Sequence, residues 1–379
     1  MTRPRHTEER DQRIRVVLLV PVLDFGGIET RTVLQASHSS GTRIDLKVCC
    51  FEDAGRAARA IRACGITVDE LGTTPSVRNP SALYRLIRYL HRTDVDVLHT
   101  VTGAMTVHGM LAGRIAGVPV RIAEEVGIPR RGKLGQRLFP YLYRQASCVI
   151  GVSDAVIEHI VAEDGVPPDK ARRVYNAIEP RYFEQPVRRR LDETFEILTA
   201  GRLDPLKGHA DLVNALAPWL RDSADVRLRI AGDGAERSSL GSLIADLGIA
   251  DQVELMGYRS DLPELLAETD LFVLPSRSEG FGLAVVEAMA ARVPVVATRV
   301  GGVPEVFPEW AADWLVPPSD PTSLRLAVQR VRAMPRRERE QLGARLHAHA
   351  KEHFAVEAYV AEIEALYSEL LSRSHWGNG

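Results

Sequence analysis

The sequence predicts an α/β protein of two Rossmann-like, doubly wound domains, and three observations predict it. Short runs rich in Val, Ile and Leu alternate with segments of helical periodicity along most of the 379 residues. Alternation of this kind makes parallel sheets with helices on both faces. The alternation stops once and then restarts, and the length is too great for one ordinary core but comfortable for two.

The first series of apolar runs lies at 15–22, 44–50, 97–101, 120–123 and 148–152, with helical patterns between them at 83–90 and 105–116. An irregular stretch, 179–193, contains Pro180, Pro186 and Arg188-Arg189-Arg190 and reads as a linker. The second series lies at 196–199, 226–231, 253–256, 271–274 and 293–297. The expected division is therefore an N-terminal domain over 1–187 and a C-terminal domain over 188–355, with a helix in 356–379 whose pattern runs from 356 to 371.

Composition narrows the function classes. Hydrophobic residues make up 45%, charged residues 26%, and the net charge is -2, which argues against a nucleic-acid-coating protein. Cys49, Cys50, Cys64 and Cys148 form no CxxC pair and read as reduced, buried thiols. The charged residues 1–13 ahead of the apolar run 14–23 resemble a secretory signal, but they mix acidic residues with basic ones. Asp24-Phe25-Gly26-Gly27 stands where a small-x-small cleavage site would be, so export is not expected. No apolar run reaches the ~18 residues that span a bilayer. The expected location is the cytoplasm, with a candidate contact to the inner face of the cell membrane. That candidate is residues 130–144, which mix Arg130, Arg131, Lys133 and Arg137 with Phe139, Tyr141 and Tyr143. The same pattern fits a helix burying its aromatics on its own sheet.

Ligands of doubly wound sheets bind beyond the carboxyl ends of the strands, and the chemistry-bearing motifs follow apolar runs. After the run at 271–274 come Glu279, Gly280, Phe281, Gly282 and Leu283, then a helix of small residues carrying Glu287. Glycines opening a helix offer backbone amides to an anion, and two carboxylates, Glu279 in the loop and Glu287 about one turn into the helix, could accept from the hydroxyls of a sugar. Glu279 as an electrostatic cap and Glu287 as a solvated residue fit equally well. After the run at 196–199 come Gly201-Arg202-Leu203-Asp204-Pro205-Leu206-Lys207-Gly208. Arg202 as a planar fork and Lys207 as a point charge could grip a diphosphate, or be two cations on a solvated loop. After the first run, Gly26-Gly27 opens a helix and allows close backbone approach. None of these is the dinucleotide fingerprint G-x-G-x-x-G; Gly232-Asp233-Gly234 fails because Arg237 holds the final glycine position.

Together these motifs resemble the large retaining glycosyltransferase family 4 of the GT-B fold. Further matches are Asn176-Ala177-Ile178-Glu179, Gly232-Asp233-Gly234, the segment Asp270–Ser276 and Gly301-Gly302-Val303-Pro304-Glu305. The resemblance covers nearly all of the chain after residue 14. It implies two Rossmann-like domains facing a cleft and a nucleotide-sugar donor, a UDP- or GDP-sugar, held mainly by the second. It gives Glu279 the donor-sugar hydroxyls and Glu287 the ribose. Arg202 and Lys207 neutralise the departing diphosphate in place of a metal ion, so no metal or cofactor is expected. Gly26 and Gly27, Gly280, Phe281, Gly282 and Leu283 complete the donor-binding set. It also implies retention of anomeric configuration, a glycan, lipid-linked or small-molecule acceptor, polysaccharide or glycolipid synthesis, and a final helix that returns to the first domain. One departure stands out. Where many members have a histidine after an N-terminal-domain strand, this chain has Val126, leaving Glu125 and His99 as acceptor-side candidates. A sugar-nucleotide epimerase of the same fold, or an inactive nucleotide-sugar-binding protein, is the alternative.

Three further patterns read as structural. Asp94-Val95-Asp96 is formally a metal-binding D-x-D but sits where a turn is expected. His347, His349 and His353 lack the H-E-x-x-H order and read as a solvated helix face. No G-x-S-x-G elbow is present.

Overall fold

The computed structural model describes residues 13–21, 27–39, 42–55, 57–76, 80–185 and 194–376. Asp24, Phe25 and Gly26, and residues 186–193 of the expected linker, lie outside the described residues.

The described residues group into two units. The first takes its residues from Met1–Gly151, Ile157–Val174 and Val360–Gly379, the second from Val152–Val156 and Tyr175–Tyr359. The first unit contains β1 (Ile14–Leu19), α1 (Gly27–His38), β2 (Ile44–Cys50), α2 (Ala58–Ala63), β3 (Thr67–Glu70) and α3 (Pro80–Thr93). It continues with β4 (Val97–Val101), α4 (Gly103–Ile115), β5 (Val120–Glu125), α5 (Lys133–Gln145), β6 (Cys148–Gly151), most of α6 (Asp154–Ala162) and β7 (Ala171–Arg173). The second unit opens with α7 (Pro180–Phe183), β8 (Phe195–Ala200), α8 (His209–Asp222), β9 (Val226–Ala231), α9 (Arg237–Asp246) and β10 (Val253–Gly257). It then has α10 (Leu262–Ala267), β11 (Leu271–Leu274), α11 (Leu283–Ala290), β12 (Val295–Thr298) and α12 (Val303–Val306). β13 (Leu315–Val316), α13 (Pro321–Ala333), α14 (Arg336–His353) and the start of α15 (Val356–Trp376) complete it.

Both sheets are parallel and wound the same way. Their orders are β3-β2-β1-β4-β5-β6-β7 and β10-β9-β8-β11-β12-β13. In each, the chain leaves a central strand in one direction and later returns to its other side. The reversal therefore falls between β1 and β4 in the first unit and between β8 and β11 in the second. Strands covered on both faces read as continuous apolar runs, and β4 and β8 are buried at every position. Phe272 and Leu98, each 0% exposed, are typical core residues, and such burial stabilises by about 1.5–3 kcal/mol per side chain.

Three strands have no apolar run to announce them. β3 (TVDE) and β7 (ARR) are polar edge strands, and β13 has two residues. The domain boundary also differs from the expected 187/188. The chain passes to the second unit at Val174/Tyr175, because α7 packs on α11 and buries Tyr182. The last change of unit comes at Tyr359/Val360, inside α15. From there Tyr367 and Glu364 bond to first-unit groups: the Tyr367 hydroxyl to His99 Nδ1 at 2.7 Å, and Glu364 Oε1 from the Arg43 amide at 2.9 Å. Of the cysteines, Cys49, Cys50 and Cys148 are buried, whereas Cys64, just past α2, is exposed.

Candidate functional site

In the second unit, the loops after β8 and β11 meet at the reversal of strand order. The Arg277 amide donates to Leu206 O at 2.7 Å, and the Arg277 guanidinium forks onto Asp211 at 2.7 and 2.8 Å. These bonds bring Lys207 to Glu279: Lys207 Nζ donates to Glu279 Oε1 at 2.6 Å. Ser276 Oγ donates to the same oxygen at 2.7 Å, while Thr298 Oγ1 donates to Ser276 O at 2.5 Å. Glu279 is therefore aimed by a buried serine and paired with a half-buried cation. Arg202 is 76% exposed and bonds to Asp204 at 3.1 Å.

The Arg202 loop is shaped by the glycines after β9. A Cβ on Gly232 would stand 1.9 Å from Gly201 O, and one on Gly234 would stand 2.4 Å from Leu203 O. The Gly201 and Leu203 amides donate to Ala231 O and Asp233 O at 3.0 and 2.9 Å. Beneath this loop His209 is 1% exposed, and burial, then Lys207, push its pKa down to about 4.

Gly282, at φ +92°, takes the left-handed turn that opens α11, a conformation costly for any residue with a Cβ. The first α11 amides to find the Gly282 carbonyl belong to Val285 and Val286. The Leu283 and Ala284 amides precede the intrahelical ladder, as the first amides of any helix do. Phe281 is not part of this open edge; its ring is buried against Tyr175 and Phe354, 5.5 and 5.6 Å between centroids.

Glu287 is not a solvated residue. It is 8% exposed and accepts from the Tyr182 hydroxyl, and burial raises its pKa from 4.5 to about 7. Arg181 and Glu179, paired at 2.8 Å, stand beside it. Tyr182 carried no signal in the sequence, since only the docking of α7 brings it to α11.

The first-unit candidates are enclosed. His99 is 1% exposed, between the Tyr367 hydroxyl and Glu124 Oε2 at 3.0 Å, and burial pushes its pKa down to about 3. The structure thus assigns it to the core instead of an acceptor surface. Glu124 also pairs with Arg31 on α1, both buried. Glu125 is buried as well. Its Oε1 accepts from Arg131 at 3.0 Å and Tyr143 at 2.8 Å, and Arg131 reaches Asp164 at 2.9 Å. Burial raises the Glu125 pKa against the pull of Arg131. Gly27 is the first residue of α1, and Val126 follows β5 half-buried.

Asp94 and Asp96 are held by Arg15, Asp96 Oδ1 at 2.7 Å from Nη2. Of the α14 histidines, His353 is exposed as expected, whereas His347 and His349 depart from the solvated face. His347 Nδ1 meets Ala290 O at 2.6 Å and His349 Nε2 meets Val306 O at 3.2 Å, because α14 packs on α11. α5 divides between both readings of its sequence. Phe139, Leu142 and Tyr143 are buried, and Arg131 turns inward, while Leu134 and Tyr141 are exposed beside exposed Lys133, Arg137 and Arg144. Among the described residues, no helix is long and apolar enough to cross a membrane.

Comparison with known proteins places this geometry in a family. The family profile of glycosyl transferases group 1 matches residues 182–348, and that of glycosyltransferase family 4 matches residues 25–182. The chain is 33% identical over 301 residues to an MMP alpha-(1->4)-mannosyltransferase of Mycolicibacterium hassiacum, covering 74% of this chain and 72% of that one. It is 28% identical over 302 residues to the N-acetyl-alpha-D-glucosaminyl L-malate synthase of Bacillus anthracis, covering 76% and 78%. The fold is similar to that of HepE from Anabaena in complex with UDP and glucose, with a TM-score of 0.83 at 23% identity over 94% and 99% of the two chains. A glycosyltransferase from Rickettsia africae gives a TM-score of 0.82 at 18% identity over 95% and 99%. The chain belongs to the group 1, family 4 glycosyltransferases and has their GT-B fold of two Rossmann-like domains.

Proposed function

We propose that this glycosyltransferase moves a sugar from a UDP- or GDP-sugar to a hydroxyl acceptor, without a metal ion and with retention of anomeric configuration. The observation that carries the reading is the junction of Lys207, Glu279 and the opening of α11 at the strand-order reversal of the second unit. A cation, a carboxylate and helix-terminal amides converge there, which is what a sugar diphosphate asks of a protein.

The chemistry assigns each residue a role. The diphosphate takes the Lys207 ammonium from Glu279, with Arg202 swinging in from solvent and the amides at Leu283 and Ala284 adding dipoles. Glu279, still aimed by Ser276, accepts from donor-sugar hydroxyls. Glu287 accepts from the ribose hydroxyls, with Tyr182 holding its other contacts. As the anomeric carbon–oxygen bond breaks, charge grows on the leaving phosphate, and the fixed cations stabilise it more than they stabilise the bound donor. The acceptor oxygen bonds to the anomeric carbon on the face being vacated, and its proton passes to the departing diphosphate.

The first unit is proposed to receive the acceptor, a glycan, a lipid-linked sugar or a small molecule. The M. hassiacum and B. anthracis relatives, a mannosyltransferase and a glucosaminyl-malate synthase by name, support a transferase over an epimerase. The exposed stripe of α5, Leu134, Arg137, Tyr141 and Arg144, supports a peripheral contact with the cytoplasmic face of a membrane. Ligand-observed NMR with a panel of UDP-, GDP- and ADP-sugars tests the reading. Binding of one donor that is lost in Arg202→Ala and Lys207→Ala is expected. A sugar epimerised at C2 without an acceptor would move the protein to the epimerase class.

A further inference from the structure

Behind the donor loop, a carboxylate from the Gly301–Glu305 turn organises a small hydrogen-bonded knot. Glu305 Oε2 accepts from the Asp154 amide at 2.7 Å and Oε1 from the Ala155 amide at 2.8 Å. These are the first two amides of α6, groups that a helix cannot satisfy for itself. Glu305 Oε2 also accepts from the Tyr175 hydroxyl at 3.2 Å. The two segments that Glu305 fixes each grip the loop that opens α11. Ser153, buried just ahead of α6, donates its Oγ to Gly280 O at 2.6 Å and accepts from the Val156 amide at 3.1 Å. The Tyr175 ring packs on Phe281 at 5.5 Å between centroids. Gly302 is squeezed between them: a Cβ there would stand 2.4 Å from Gly280 O and 2.6 Å from Ser153 Cβ.

We propose that Glu305 is a positioning residue for the donor, acting through Ser153 and Tyr175 to fix the Gly280–Leu283 backbone. This rests on the donor site given above, and it adds a residue that touches no substrate. The direction of a backbone amide is set by its peptide plane, and two handles on one short loop, the Gly280 carbonyl and the Phe281 ring, leave that plane little freedom. A charged acceptor suits the task because it takes two amides and a hydroxyl at once, and charge-assisted bonds to backbone amides are stronger than neutral ones. In Glu305→Gln the side-chain NH2 would face one of the two amides as donor against donor, so the knot loses a contact without losing volume.

Hydrogen exchange of the full chain, with no ligand, reads the positioning directly, and calorimetry with UDP and with GDP reads its consequence. In E305Q, exchange over residues 153–156 and 280–285 is expected to speed up about tenfold or more while the α8 core exchanges as before. The affinity for whichever nucleotide the wild-type protein binds should fall about tenfold. Ser153→Ala, which removes only the grip on Gly280 O and the α6 cap, should move both readouts the same way and guards against a folding defect in E305Q. Glu309→Gln, on an exposed neighbour, should move neither. Unchanged exchange in both variants overturns the proposal, as does faster exchange with unchanged nucleotide affinity. A wild-type protein that binds neither UDP nor GDP would instead overturn the donor site itself, whatever the exchange shows.

Discussion

The two units repeat one strand order but use the point of reversal in opposite ways. In the second unit the reversal between β8 and β11 carries charges within reach of solvent. Lys207 is 26% and Arg202 76% exposed, and Lys207 waits on Glu279. In the first unit one charged network beside the corresponding strands is sealed instead, although Arg15 with Asp94 and Asp96 at their other end stays partly exposed. Arg31 and Glu124 pair at 4% and 3% exposure, and His99 and Tyr367 close the network. The same topology thus leaves polar groups exchangeable in the unit where the donor site is proposed, and seals them into a structural joint in the other. Charge type alone does not separate the two; exposure and partner do.

Substitutions sharpen that contrast. The largest effect is expected for Arg31→Ala, which leaves Glu124 buried and unpaired and should cost about 3–5 kcal/mol of stability in chemical denaturation. Lys207→Ala removes a partly exposed pair and should change stability by no more than about 1 kcal/mol. Equal losses for the two would break the contrast. In turnover the order reverses. Lys207→Ala and Glu279→Gln should each lower kcat by about 100- to 1000-fold, the scale of losing one fixed group that meets developing charge. Wild-type-like turnover in either would remove that residue from the site.

A smaller effect, confined to high pH, belongs to Glu287. Its folded pKa, about 7, lies above the ordinary 4.5, so the folded protein prefers the proton. The preference costs nothing below pH 4.5, and destabilises progressively as pH rises towards 7, then levels off. Glu287→Gln should therefore raise the melting temperature at pH 8 and leave it nearly unchanged at pH 4.5. Equal changes at both pH values would contradict a buried, proton-sharing Glu287. Smallest of all, Leu134→Glu with Tyr141→Glu on α5 should alter stability by less than about 0.5 kcal/mol. The same pair should reduce co-sedimentation with anionic phosphatidylglycerol vesicles severalfold, and unchanged sedimentation would remove the membrane contact.

Most of the fold was legible because buried parallel strands write themselves as apolar runs. The strands that were not legible, β3, β7 and β13, sit at sheet edges, where one open side tolerates TVDE or ARR. The residues of the proposed donor site were picked out for a local reason: Glu279 and Glu287 lie in one loop–helix unit, and Arg202 and Lys207 in one loop. What is written across the chain was not. Arg31 and Glu124 are 93 residues apart, and Asp154 and Glu305 are 151 apart. No spacing marks such pairs, so Tyr182 and Glu305 gave no sign of their parts, and His99 stood as an acceptor-side candidate although it is buried against Tyr367. The boundary at 187/188 erred towards the Pro- and Arg-rich stretch, because composition marks a loop and not which unit the preceding helix packs on.

The most direct test of a donor site in the second unit is calorimetric titration of UDP-sugars and GDP-sugars into the wild-type protein, Lys207→Ala and Arg31→Ala. One donor should bind the wild type, bind Lys207→Ala at least about tenfold more weakly, and bind the folded fraction of Arg31→Ala nearly as well as the wild type. Undiminished binding to Lys207→Ala would contradict the site.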